Sequence, residues 1–119
     1  MLIEMMKPDF EFEDERGNLR QLVHEGFSQY NIIFSKKDVL RGNHYHKKNK
    51  EAFYVITGAF TLHVSKDGVE ETYKFRQGDM FLVPPYVIHS FYYTEDCLVA
   101  SMYDFGVENE DGLKDIYAE

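Results

Sequence analysis

Residues 42 to 58 read Gly42-Asn43-His44-Tyr45-His46-Lys47-Lys48-Asn49-Lys50-Glu51-Ala52-Phe53-Tyr54-Val55-Ile56-Thr57-Gly58. In an extended chain successive side chains point to opposite faces, so His44 and His46 project together and Tyr45 projects away from them. The polar run at 47–50 is long enough to turn the chain, which lets Glu51 open the neighbouring strand on one face with Phe53 and Val55. A carboxylate then joins two imidazoles.

The same alternation recurs along the chain. Phe10 and Phe12 alternate with acids, Tyr30, Ile32 and Phe34 with Asn31 and Ile33, and Phe60, Leu62 and Val64 with Thr61 and His63. Turn signals separate these runs at short intervals: Glu15-Arg16-Gly17-Asn18, Lys36-Lys37-Asp38, Arg41-Gly42-Asn43, Thr57-Gly58, Lys66-Asp67-Gly68, Gln77-Gly78-Asp79, Pro84-Pro85 and Thr94-Glu95-Asp96. Asp67-Gly68 between two such runs predicts a tight hairpin, because both residues tolerate the positive φ that such a turn needs. The pattern predicts about nine strands and an all-β sandwich or double-sheet jelly roll. Only the tail at 113–119 has helical character.

Composition agrees. Ten Phe, nine Tyr and no Trp in 119 residues suit pleated surfaces, and the length fits one domain, residues 1–119. So short a chain buries a modest fraction of its surface, which favours a homodimer. The formal charge of −8 repels phosphate backbones and anionic lipid, so neither nucleic acid nor membrane is an expected partner. The one cysteine, Cys97, lies in an apolar run and is read as a small buried hydrophobe. No apolar run reaches signal-peptide or membrane-span length, which makes the cytoplasm the expected location.

The 42–58 stretch resembles the first motif of the cupins, His-x-His followed by Glu and then Gly. Residues 78–89, Gly78-Asp79-Met80-Phe81-Leu82-Val83-Pro84-Pro85-Tyr86-Val87-Ile88-His89, resemble the second. The resemblance implies a double-stranded β-helix, the cupin jelly-roll barrel, with His44, His46, Glu51 and His89 as metal ligands. Such a donor set suits Zn, Fe, Mn, Ni or Co and leaves positions open for water or substrate. Two positions depart from the family pattern: Tyr86 stands where a Gly is usual and Tyr93 where an Asn is usual. The remaining histidines, His24 and His63, read as surface or satisfied core residues.

A narrower resemblance joins Asp14-Glu15-Arg16-Gly17, Gln29-Tyr30-Asn31, Arg41-Gly42-Asn43-His44-Tyr45 and Pro84-Pro85-Tyr86-Val87 to the RmlC-like cupins that act on deoxysugar nucleotides. Two branches contribute, the 3,4-ketoisomerases and the 3,5-epimerases, and the His-x-His run is also similar to the cupin module of capsule-biosynthesis sugar reductases. The resemblance implies that His44 takes a proton from the carbon beside a substrate keto group, with His46 a second base and Tyr103 a proton donor on the other face. An imidazole with an ordinary pKa of about 6.5 suits that task.

Six of the thirteen basic residues, Lys36, Lys37, Arg41, Lys47, Lys48 and Lys50, fall within fifteen positions around His-x-His. An Arg can grip a phosphate with paired hydrogen bonds, so Arg41 is the candidate for a diphosphate, with Lys47 and its neighbours adding attraction. A histidine cannot both hold a cation and use the same lone pair as a base, and the Glu at position 51, where ketoisomerases carry a neutral Gln, favours the cation. The expected function is that of a metal-binding isomerase or epimerase of keto-deoxysugar nucleotides in surface polysaccharide biosynthesis. A metal-dependent oxygenase on a small organic acid and a non-catalytic sugar- or effector-binding cupin are the alternatives.

Overall fold

Alternating runs bounded by turns become twelve strands in the computed structural model, which describes residues 1–108 and 112–118. In chain order they are β1 (Glu4–Met6), β2 (Phe10–Asp14), β3 (Gly17–Gln21), β4 (Gln29–Ser35), β5 (Leu40–Tyr45), β6 (Glu51–Thr57), β7 (Ala59–Lys66), β8 (Val69–Arg76), β9 (Met80–Val83), β10 (Ile88–Tyr93), β11 (Cys97–Tyr103) and β12 (Tyr117–Ala118). Nine were expected, and the difference lies partly in β1 and β12, three and two residues long, too short to carry a period. The tail is not helical: among its described residues Tyr117 and Ala118 pair with Tyr45 and His44 of β5.

Two five-stranded antiparallel sheets, ordered β1-β9-β6-β11-β4 and β12-β5-β10-β7-β8, face each other, and β2 and β3 form a separate hairpin. Inward residues of both sheets interdigitate as one core that includes Phe53, Phe60, Phe75, Phe81, Phe91 and Val99. Phe81 sits between Phe75 and Phe53, with ring centroids 4.2 and 5.0 Å away. Each such ring removed from water contributes about 1.5–3 kcal/mol, so these aromatics hold the sheets in register beneath the site. Asp67 and Gly68, both with positive φ, close the β7–β8 hairpin with Lys66 opposite Val69, as the Asp-Gly pair predicts.

One irregularity matters for function. On β10, His89 lies opposite His44 but Ser90 lies opposite Gly42, so Asn43 is an extra residue on β5. Gly42 and Asn43 both take positive φ, 95° and 64°, in this β-bulge. A Cβ on Gly42 would stand 2.7 Å from the His89 carbonyl oxygen. Strict alternation would put Arg41 and His44 on opposite faces; the bulge turns both inward.

Candidate active site

The inward faces of β5, β6, β10 and β11 converge on a cavity of about 290 Å³ between the sheets. Its wall includes Arg41, His44, Glu51, His89, Tyr93 and Tyr103. The ring nitrogens of His44, His46 and His89 that could hold a cation all lie within 4.8 Å of one another. Glu51, 3% exposed, sets Oε1 at 3.1 Å from His46 Nε2 and 3.6 Å from His89 Nε2. The Ser101 hydroxyl donates to its other oxygen.

The outer nitrogens of two imidazoles are already spoken for. His89 Nδ1 lies 2.9 Å from the Val87 carbonyl, and His46 Nδ1 lies 2.6 Å from the Asp115 carbonyl. Each ring therefore turns Nε2 toward the cluster, the arrangement in which a carbonyl behind a histidine fixes its tautomer for metal binding. At 3.6 Å the Glu51 contact is too long for a hydrogen bond, and among the described residues the buried His89 Nε2 has no hydrogen-bond partner. Leaving such an atom unpaired costs about 1–3 kcal/mol, a cost that a ligand on that lone pair would remove. The three imidazoles thus fit a divalent cation, with the Glu51 carboxylate beside two of them.

Electrostatics sort the groups further. Burial alone would raise the Glu51 carboxyl, but His46, His89 and Ser101 outweigh it and hold the pKa at about 2. His44 goes down to about 4, through burial first and then the neighbouring His89 and His46, so its ring is neutral at pH 7. Burial also pushes His46 down, but the Glu51 carboxylate and the Asp115 carbonyl outweigh it and leave the ring above its ordinary value. Tyr103 is raised, chiefly by burial and then by the Glu51 charge, so its phenol keeps its proton. Tyr93 is raised as well, mainly by burial.

Not every expected residue reaches the cavity. His46, 2% exposed, is not on its wall. It packs edge-on against Tyr103 and His44, with centroids 5.1 and 5.3 Å away. Lys47 is also off the wall: its ammonium lies 4.2 Å over the Tyr117 ring. Arg41 does line the cavity, anchored by Nε on the Ser35 hydroxyl at 2.7 Å and by Nη2 on the Phe34 carbonyl at 3.2 Å.

Tyr86 takes the left-handed conformation, φ 68°, that the usual Gly would take, donates its N–H to the His46 carbonyl at 2.7 Å, and stacks on Tyr45. His63 and His24 are exposed, paired with Glu70 and Asp9 respectively. Cys97 is fully buried, and burial pushes its thiol up to about 11. The sequence reading missed Ser101 and Asp115 and gave Tyr93 no role. Alternation from His89 through Phe91 to Tyr93, and from Tyr103 back to Ser101, could have found two of them.

Two antiparallel sheets closed over three imidazoles and a carboxylate are the cupin fold. Residues 12–103 match the polysaccharide biosynthesis C-terminal domain family, and the chain belongs to that family. The 3,4-ketoisomerase from Thermoanaerobacterium thermosaccharolyticum, solved in complex with TDP, is 20% identical and superposes with a TM-score of 0.80 over 99% of this chain and 88% of that one. A dTDP-4-dehydrorhamnose 3,5-epimerase from Elizabethkingia anophelis NUHP1 is 21% identical, with a TM-score of 0.72 over 92% of this chain and 72% of that one. The fold is therefore that of the RmlC-like cupins. A 3-hydroxyanthranilate 3,4-dioxygenase from Burkholderia lata is 46% identical over 41 residues, 34% of this chain and 24% of that protein. The chain thus spans about a quarter of that curated relative's length.

Proposed function

We propose that the cavity binds a keto-deoxysugar nucleotide and isomerises or epimerises it by moving a proton at the carbon beside the keto group, as a step in cytoplasmic assembly of surface polysaccharide. His44, His46, His89 and Glu51 would hold a divalent cation, which would polarise the substrate carbonyl as a Lewis acid. The observation that carries this reading is the buried Nε2 of His89, without a hydrogen-bond partner among the described residues, beside two further imidazoles. The family match and the fold shared with a ketoisomerase and an epimerase support the substrate class.

Each wall residue has a task. Arg41, fixed by Ser35 and the Phe34 carbonyl, offers its remaining donors to a phosphate oxygen. A solvent hydroxide would take the proton from the carbon as the adjacent carbonyl enolises, Tyr103, protonated at working pH, would return one to the carbon, and the water so formed would reprotonate its phenolate. Glu51 supplies the charge that a cation requires and, with burial, keeps the resting Tyr103 a phenol. Apolar Ile33, Phe53, Phe91 and Val99 line the rest of the cavity and exclude water from the reacting carbon.

The test is incubation with a TDP-keto-deoxysugar in D2O, with and without a chelator, followed by mass spectrometry. Deuterium entering the sugar only in chelator-free protein is the expected result. Exchange that survives complete metal removal would show that neutral His44 acts as the base instead. One observation favours a second reading, an iron-dependent oxygenase on a small organic acid: the 41-residue match to a dioxygenase. Iron-dependent oxygen uptake would favour it.

A further inference from the structure

The C-terminal segment returns to the site through one residue. Asp115, 1% exposed, accepts hydrogen bonds from three consecutive backbone N–H groups: Lys47 on Oδ1 at 2.9 Å, and Lys48 and Asn49 on Oδ2 at 3.0 Å each. Asn49 Nδ2 donates to the same oxygen at 2.9 Å. Asn49 is itself fully buried, and its Oδ1 accepts from the N–H groups of Phe105 and Gly106. The backbone of Asp115 is engaged too: its N–H reaches the Val107 carbonyl at 2.6 Å, and its own carbonyl accepts from His46 Nδ1. One residue thus grips the turn that leads out of His46 and also faces the imidazole of that histidine.

We propose that Asp115 is the positioning residue of the site: its carboxylate locks the 47–49 turn while its carbonyl holds His46 in the Nδ1–H form, so that His46 meets the cluster only through Nε2. The idea deepens the cation reading above and rests on it for its functional meaning. The geometry of the lock stands without a cation. The carboxylate is buried yet kept ionised, since burial is outweighed by the N–H groups of Lys47, Lys48 and Asn49. Asp115 lies 69 residues from His46, so the tail and the His-x-His strand must both be docked before the ligand cluster exists. A carbonyl behind a metal-binding histidine sets ring orientation as well as tautomer, and its loss ordinarily weakens metal affinity about 10- to 100-fold.

Two readouts test the proposal on the full chain. In 15N-histidine-labelled wild-type protein, two-bond 1H–15N spectra should show His46 with a protonated Nδ1, both without cation and with Zn2+; a bare Nδ1 in either form overturns the proposal even if no variant folds. In cation-free Asp115→Ala, where the backbone carbonyl remains but the clamp that aims it at His46 is gone, the protonated-Nδ1 signature should be lost, and Zn2+ affinity should fall about 10- to 100-fold. Phe75→Leu, in the core and off the cavity wall, serves as a destabilised control and should keep both properties. Equal loss of affinity in both variants, or an unchanged His46 in Asp115→Ala, contradicts the assignment. A wild-type protein that takes up no Zn2+ defeats the cation reading but leaves the tautomer test intact.

Discussion

Tyr103 and His44 both line the cavity and can carry a proton, and their environments drive them apart. Tyr103 is buried beside the Glu51 carboxylate and remains a phenol, so Tyr103→Phe should remove a donor without removing a ring. Deuterium incorporation into the sugar should fall about 100- to 10,000-fold with little change in KM, measured by steady-state kinetics and mass spectrometry. His44 carries a stability prediction for the cation-free protein. Its pKa drops from 6.5 to about 4 on folding, so between those values the unfolded chain binds a proton that the folded chain refuses. Stability should therefore fall as pH falls through that window. His46, raised on folding, works in the opposite sense and contributes most below the unfolded value. Thermal melts at pH 7 and pH 5 should show a smaller loss in His44→Gln than in wild type; equal losses would assign the acid sensitivity elsewhere.

Strand β5 shows what a period of two can and cannot reveal. Alternation correctly separates His44 and His46 from Tyr45, which stacks on Tyr86 and Tyr117 outside the core. It could not place Arg41, because the Gly42-Asn43 bulge adds a residue and reverses the facing of everything before it. The sequence does carry the cue, since Gly followed by Asn suits two successive positive φ angles. Gly42→Ala would strain φ 95° and press a methyl against the His89 carbonyl. The expected cost is about 1–3 kcal/mol in urea unfolding. Cation affinity should fall as well, because His44 and His89 face each other across the same bulge. A neutral substitution would mean that the bulge does not fix the cluster.

Most of the molecule was legible because its strands are bounded by Gly, Asp and Pro turns and half-buried in alternation. What escaped depends on contacts distant in sequence. The Asp115 lock closes between residues more than sixty positions apart, and no local pattern announces it. The alternation of Phe10 and Phe12 did mark a strand, β2, but not its burial: both strands of the β2–β3 hairpin are largely exposed, with Phe10, Phe12 and Leu19 each at least half in water. The edge strand β4 likewise exposes Tyr30, Ile32 and Phe34. An isolated two-stranded hairpin is marginal in water, and an open apolar edge invites pairing, so a second copy of this chain is the expected cover. Light scattering after gel filtration should give a dimer, and Ile32→Lys with Phe12→Lys a monomer. A wild-type monomer at micromolar concentration would refute that arrangement.

The claim on which the function turns is that His44, His46, His89 and Glu51 form one cation site. Elemental analysis of protein purified without added metal measures it directly, alongside His89→Ala prepared in the same way. A transition metal near one equivalent per chain in wild type and sharply depleted in the variant is the expected result; a metal-free wild type, or equal content in both proteins, would contradict the account.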